Sequence, residues 1–369
     1  MLDHLRRTRF PKERIVVLLN QRGELRDVLR KEGIRSELVR WKGGGTYLGR
    51  QLRWYGAMLR AARLLRQLNP AVVVCNTFPD LDTTGRVAAR LGFPIVWRAR
   101  ADTFTQAHDW PADRRKEVVR FLNESVTRIV PTTSYETRLM LEAGVDRRKI
   151  NVVHNGVDLK RYDDRAAGKR LREELHISQN EYVIAFVARM IQQKGYEVFF
   201  GALAGLKLAG YAFRALVAGD VTLLEDRPQE YKAGLHRMVC ELNLGERVVF
   251  LGQRKDVPAV MNAADLFVLS SLKEPFGTTA VEAMAAALPV VASDLPGPRE
   301  SMLNEETGIF FPAGDIQALQ RAIVRLIESP EMGRRMGELG RRRAEARFDL
   351  RAYVSSMDEE CRIAATMPG

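Results

Sequence analysis

The run Leu266-Phe267-Val268-Leu269-Ser270-Ser271-Leu272-Lys273-Glu274-Pro275-Phe276-Gly277-Thr278-Thr279-Ala280-Val281-Glu282-Ala283-Met284-Ala285 passes from four apolar residues through a polar loop into an apolar helix rich in small residues. A strand apolar on both faces followed directly by a helix is the repeating unit of a buried parallel sheet. The helix is expected to begin near Gly277, where glycine lets a ligand approach the backbone. The unsatisfied amides of its first turn form an anion site suited to a diphosphate. Glu274 lies before the helix and Glu282 inside it, seven residues between them, so both can face one pocket. Carboxylates only accept hydrogen bonds, which suits them to the hydroxyls of a sugar and a ribose. The plainer reading makes Glu274 a turn residue and Glu282 a solvated helix position; the apolar neighbours of Glu282 argue against it.

The same alternation extends in both directions. Apolar, β-branched runs at Ile15–Leu19, Ala71–Cys75, Ile95–Trp97, Asn151–His154, Tyr182–Val187, Phe213–Ala218, Val248–Leu251, Leu266–Leu269 and Val290–Ala292 read as strands. Between them Leu52–Leu68, Gly195–Ala209, Leu235–Leu242 and Ala318–Ile327 carry apolar residues at helical spacing. So many βα units over 369 residues predict an α/β protein with two doubly wound, Rossmann-like domains facing each other across a cleft. Asn155-Gly156-Val157-Asp158 has turn chemistry, and the polar stretch Lys160–Arg172 after it reads as a connection on the hinge side. The expected domains are therefore 1–154 and 155–348, with the helical segment 349–369 packing back on the first.

Composition narrows the function classes. Three cysteines, Cys75, Cys240 and Cys361, stand at wide spacings, which argues against a disulfide framework and for a reducing compartment. No apolar run reaches the roughly 18 residues of a membrane span, and the charged Met1–Phe10 does not read as a signal peptide. The expectation is a cytoplasmic protein. Its charge is lopsided: residues 1–150 hold 30 Lys and Arg against 16 Asp and Glu, residues 151–369 hold 28 against 30. A basic first half suits an anionic partner, and peripheral contact with the inner face of a membrane is one such expectation. In Leu52–Leu68, Arg53, Arg60, Arg63 and Arg66 flank Trp54, Tyr55, Met58 and Leu59, which allows membrane contact as well as core packing. Nucleic acid is not expected, because the basic residues are not interleaved with aromatic ones.

With its two acids and the Glu-Pro-Phe-Gly-Thr opening, the Glu274 to Glu282 segment resembles the E-x7-E signature of the retaining glycosyltransferases of family four, whose two-Rossmann-domain fold is called GT-B. A second match follows Tyr182–Val187, where Arg189 and Lys194-Gly195 stand where family members place an Arg and a Lys-Gly. Val153–Asp158, Val249–Gly252 and Thr307–Asp315 agree in order and distance. The resemblance implies that Glu274 contacts hydroxyls of the transferred sugar and Glu282 the ribose of the nucleotide. It implies that the amides of Phe276, Gly277, Thr278 and Thr279 line the donor, and that Gly252, Gln253 and Arg254 bracket the base, chiefly through backbone groups. Arg189 and Lys194 would stabilise the departing diphosphate, a role that a guanidinium fork and an ammonium point charge suit. Catalytic roles thus fall to Arg189, Lys194 and Glu274.

The resemblance weakens toward the N-terminus. Family members open with a strand and a glycine-rich loop, whereas Met1–Phe10 resembles the end of the helix after that loop, so the first βα unit is expected to be missing. Gly43-Gly44-Gly45 lacks the glycine fingerprint and reads as a mobile loop. After Ile95–Trp97, where many relatives carry a His, this chain has Arg100 and Asp102, both weak acceptor-side candidates. Asp80-Leu81-Asp82 has the D-x-D form of metal-dependent transferases, but its place before Thr83-Thr84-Gly85 favours a helix cap. The five histidines are dispersed, so no metal is expected, nor any cofactor beyond the nucleotide-diphosphate sugar that serves as donor substrate. The function expected is a metal-independent, retaining hexosyl transfer to a hydroxyl acceptor, with lipid-linked acceptors among the candidates, in cell-surface polysaccharide, lipopolysaccharide or glycolipid synthesis. The alternative is a non-catalytic, sugar-nucleotide-binding GT-B scaffold with an incomplete acceptor domain.

Overall fold

A computed structural model describes residues 2–19, 23–39, 47–100, 103–106, 110–178, 180–221 and 228–367, the side chains of 47–53 and 105–106 excepted. Asp102 and the Gly43–Gly45 run lie outside the described residues. The chain forms two compact units, Met1–His154 with Leu350–Gly369, and Asn155–Asp349.

Among the described residues the second unit holds six parallel strands: β6 (Val183–Val187), β7 (Arg214–Ala218), β8 (Val248–Gly252), β9 (Leu266–Leu269), β10 (Val290–Ser293) and β11 (Gly308–Phe311). Their order in one sheet is β11-β10-β9-β6-β7-β8. Alternate side chains feed two apolar layers. On β6, Val183, Ala185 and Val187 join one core while Ile184 and Phe186 join the other. On β9, Phe267 and Leu269 face the first and Leu266 and Val268 the second. Helices Val257–Ala263 and Thr278–Ala285 cover the first layer, and Tyr196–Leu208 and Ile316–Glu328 the second. Burial on both faces explains why these strands read as unbroken apolar runs.

The first unit carries its parallel strands differently. Among the described residues β1 (Val16–Leu19) pairs only with β2 (Arg35–Leu38), and β3 (Val73–Cys75), β4 (Ile95–Ala99) and β5 (Arg128–Pro131) form a separate three-stranded sheet. The helix Leu350–Thr366 packs on Val96, Val130 and Val153. Its buried Asp358 accepts from the Thr8 hydroxyl at 2.7 Å and the Arg9 amide at 2.7 Å, and lies 2.8 Å from His4 Nε2. Its Glu360 accepts from Arg128 Nε and Asn151 Nδ2, each at 2.6 Å. The cover ends at β3: Val74, the register partner of Val96, is 37% exposed.

Several expectations need correction. Asn151–His154 is not a strand; it runs extended beside β5, its bonds including Asn151 N–H to Ile129 O and Val153 N–H to Pro131 O, both 3.0 Å. β2, β5 and β11 were not anticipated. Lys160–Arg172 is no open connection, because Arg165–Glu174 is a helix capped by Asp164 and packed on Val257–Ala263. The contact is close: a Cβ at Gly168 would lie 2.3 Å from the carbonyl of Asn262. Nor does Asp80 or Asp82 cap a helix. Thr77 does, accepting from the Asp80 amide at 3.3 Å, while Asp82 pairs with Arg86 at 2.7 Å and Arg114 at 2.6 Å.

Candidate functional site

In the second unit, chain order reverses between β6 and β9: from β6 the sheet grows one way through β7 and β8, and the other way through β9. Loops leaving the carboxyl ends of strands on either side of such a reversal diverge and open a crevice for ligand. The two loops concerned are Ala188–Gly195 after β6 and Ser270–Gly277 after β9.

These loops are laced together. Leu272 N–H donates to Gln193 O at 2.8 Å, and the Ser270 hydroxyl donates to Gly195 O at 2.8 Å. Gly195 has φ +64°, and a Cβ there would lie 2.0 Å from Ser270 O, so only glycine fits. This approach brings Lys194 to Glu274: Nζ donates to Oε2 at 2.6 Å, with the side chains 17% and 9% exposed. The Ser271 hydroxyl donates to the same oxygen at 3.1 Å, and Gly277 N–H donates to Oε1 at 3.1 Å. With three donors on one carboxylate, Glu274 has no freedom to be a mere turn residue. The Gly277 amide is thereby committed to Glu274, which removes it from the amides expected to line a ligand.

Gly277, at φ +84°, caps the helix Thr278–Ala285. The amides of Thr278 and Thr279 occupy the first turn, where helix geometry supplies no acceptor. The Thr278 hydroxyl accepts from Asn155 Nδ2 at 3.2 Å. Phe276 is buried, packing edge-on against Phe348 with centroids 5.7 Å apart, so its ring serves the core. Inside the helix, the Glu282 carboxyl is pushed up to about 7: burial raises it, outweighing the opposing charge of Arg161 and a hydrogen bond from Tyr162.

Arg189 lies two residues beyond the end of β6 and is exposed. Gly252 ends β8 at φ +64° and its carbonyl accepts from Gly219 N–H at 2.8 Å, while Gln253 is exposed. Arg254 is turned onto Asp256 at 2.6 Å, with Glu174 at 3.9 Å. Arg100, exposed after β4, belongs to the first unit and is described with it alone. Sequence reasoning missed Ser271, Asn155 and Tyr162. Ser271 sat inside the quoted run with a short donor side chain beside Glu274; for Tyr162 the available signal was a single aromatic residue in an otherwise polar stretch.

Two Rossmann-like α/β domains built on parallel strands define the class: the fold is GT-B. Residues 168–343 match the family model described as Glycosyl transferases group 1, and residues 8–161 the one described as Glycosyltransferase Family 4. Among similar proteins, the D-inositol 3-phosphate glycosyltransferase of Nocardia farcinica is 34% identical over 218 residues, 57% of this chain and 47% of that protein. The UDP-Gal:alpha-D-GlcNAc-diphosphoundecaprenol alpha-1,3-galactosyltransferase of Escherichia coli is 28% identical over 257 residues, 66% of this chain and 63% of that one. The chain spans about half the length of the curated relatives it matches. Among solved structures, Anabaena HepE in complex with UDP and glucose matches with TM-score 0.82 and 24% identity, over 97% of this chain and 94% of that one. Sucrose-phosphate synthase from Thermosynechococcus elongatus matches with TM-score 0.73 and 24% identity, over 88% and 82%. At these identities the structures speak to fold alone. No described helix is long and apolar enough to cross a membrane.

Proposed function

We propose that the chain is a retaining, metal-independent glycosyltransferase that moves a sugar from a nucleotide-diphosphate sugar to a hydroxyl acceptor. The observation that carries this reading is the Lys194–Glu274 pair, held at 2.6 Å by loops from adjacent parallel strands and joined by Ser271 and the Gly277 amide. An ammonium and a carboxylate fixed side by side match a ligand that is anionic at its diphosphate and hydroxyl-rich at its sugar. Glu274 takes sugar hydroxyls, Lys194 and the exposed Arg189 take the diphosphate, and the amides of Thr278 and Thr279 add donors at a helix start. Glu282 takes the ribose, and backbone groups of Gly252, Gln253 and Arg254 meet the base.

In the transfer the bond from the anomeric carbon to the β-phosphate oxygen breaks and a bond to the acceptor oxygen forms on the same face. The acceptor proton passes to the departing phosphate oxygen. Charge grows on the diphosphate as it leaves, so Lys194 and Arg189 lower the barrier by meeting charge that develops in the transition state. The E. coli relative is named for a UDP-sugar and a diphosphoundecaprenol acceptor, which supports UDP-sugars as first donors and lipid-linked acceptors in cell-surface glycan synthesis. On Tyr47–Leu68, Ala57, Ala61, Leu64 and Leu65 are buried, while Tyr55 is 60% and Leu59 74% exposed near Arg60 and Arg63. That outer face supports peripheral contact with an anionic membrane; flotation with anionic but not neutral liposomes is the expected result. A cytoplasmic site of action goes with such an acceptor.

The test is nucleoside-diphosphate release from a panel of UDP-, GDP- and ADP-sugars, with and without lipid extract as acceptor. Release stimulated by acceptor supports transfer, with the anomeric configuration of the product read by NMR. Tight donor binding with no release under any acceptor would instead support a non-catalytic scaffold. The one observation favouring that second reading is the division of the first unit's described strands between two sheets. Absence of both binding and release would overturn both readings.

A further inference from the structure

Glu274 is gripped from both sides by its own loop. The Ser271 hydroxyl, earlier in that loop, donates to Oε2 at 3.1 Å, and Gly277 N–H, later in it, donates to Oε1 at 3.1 Å. The remaining donor, Lys194 Nζ at 2.6 Å from Oε2, comes from the loop after β6. The backbone under the carboxylate is pinned as well. The helix Pro296–Ser301 brings Gly297 so close that a Cβ there would lie 2.2 Å from Glu274 O and 2.6 Å from Pro275 C. The ring of Pro275 fixes its own φ. With the main chain held, rotation about the side-chain bonds of Glu274 is the motion left, and Ser271 and the Gly277 amide oppose it.

The two serines that follow β9 serve different ends. Both are buried, at 0% and 1% exposed. Ser270 sends its hydroxyl to Gly195 O at 2.8 Å and so ties the two loops together. Ser271 gives its one proton to a carboxylate whose side chain is 9% exposed. Alanine would fill nearly the same space at 271, so packing gives no reason for a hydroxyl there; a hydrogen bond to a largely buried charge does.

We infer that Ser271 is a positioning residue for Glu274: it keeps the carboxylate aimed at the transferred sugar while Lys194 turns to the diphosphate. This rests on the reading of Lys194 and Glu274 as donor-site residues. In that reading Lys194 serves two anions. As charge grows on the departing diphosphate, the ammonium is drawn toward it and its hold on the carboxylate weakens. A carboxylate has about four lone-pair sites. Lys194 and Ser271 take those of Oε2 and the Gly277 amide takes one on Oε1, which leaves a place on Oε1 for a hydroxyl of the ligand. Without the Ser271 hydroxyl, Oε2 is held by Lys194 alone. The carboxylate then follows the ammonium, and the place on Oε1 no longer faces the sugar.

The experiment is a double-mutant cycle in the full chain: wild type, Ser271→Ala, Glu274→Ala and the double variant. Two quantities are read: nucleoside-diphosphate release from UDP-, GDP- and ADP-sugars, and the affinity for UDP, GDP and ADP by calorimetry. Ser271→Ala should lower release about tenfold, the size of a hydrogen bond to a charged group. It should leave the affinity for the bare nucleoside diphosphate unchanged, because that ligand has no sugar for Glu274 to hold. Glu274→Ala should lower release about a hundredfold. The double variant should match Glu274→Ala, since Ser271 then has no carboxylate to hold. Should Ser271→Ala fail to fold, Ser271→Cys, close in size and a weak donor, takes its place in the cycle. The inference is overturned by unchanged release in Ser271→Ala, or by a double variant about tenfold below Glu274→Ala. It is equally overturned if Ser271→Ala loses nucleoside-diphosphate affinity as fully as release, which would assign Ser271 to the packing of the loop. Wild type that neither binds nor cleaves any of these donors overturns the donor-site reading itself, and the inference with it.

Discussion

β6 and β1 are both short, wholly apolar parallel strands, yet all five residues of β6 are buried and only Leu19 of β1 is. The difference lies in their neighbours. β6 has β7 on one side and β9 on the other within a six-stranded sheet covered on both faces. Among the described residues β1 has β2 alone, and β3, which starts the other sheet of the same unit, leaves Val74 37% exposed. Composition marks a strand as apolar; what it buries depends on how many strands flank it. The continuous sheet is also the one whose loops hold charged side chains within bonding distance at a chain reversal.

Four experiments press on that contrast. The largest effect is expected at Lys194→Ala, which leaves the Glu274 carboxylate, 9% exposed, without its cation. Release of nucleoside diphosphate should fall on the order of a thousandfold, about 4 kcal/mol; a loss below tenfold would detach the pair from the chemistry. Next, two left-handed glycines can be set against each other. Gly195→Ala drives a Cβ to 2.0 Å from Ser270 O, whereas Gly33 (φ +74°) has nothing within 4 Å of its Cβ position. Thermal or urea unfolding should show about 3 kcal/mol lost at Gly195 and about 1 kcal/mol at Gly33. Equal losses would mean that the lacing of the two loops adds nothing to stability.

A smaller difference is expected in hydrogen exchange. Amides of β6 and β7 should exchange only through global opening, and those of β1 and β2 about a hundredfold faster through local opening, because their pairing ends after two strands. Uniform protection would refute the idea that the first unit's sheets are less cooperative. The smallest effect concerns Asp358. Burial works to raise its carboxyl, but bonds from His4, the Arg9 amide and Thr8 outweigh this and hold it below the usual range. A lowered folded value means that the stabilisation is present above the unfolded carboxylate range, near pH 4, and is lost as pH falls through the lowered value. Asp358→Asn should cost about 1.5 kcal/mol at pH 7, and the gap to wild type should close in acid when melting is followed against pH.

The second unit was more legible than the first for a physical reason. Strands buried on both faces, such as Val-Ile-Ala-Phe-Val at 183–187, carry their assignment in composition. β2, Arg35-Ser36-Glu37-Leu38, does not: it is polar and is a strand because it pairs residue for residue with β1. Asn151–His154 shows the reverse, with strand-like residues that run beside β5 without forming a ladder. At the candidate site, the spacing from Glu274 to Glu282 and the Lys194-Gly195 pair were readable through resemblance. The influence of Tyr162 on Glu282 was not, since an interaction across 120 residues leaves no local pattern.

The crowding at Gly195 also limits how this protein can be redesigned. Any side chain at 195 must displace the Ser270 carbonyl, and that shift moves both Lys194 and Glu274. A mutant library that randomises one of these four positions at a time should return mostly inactive clones. Improved variants are to be sought where several of the four change together.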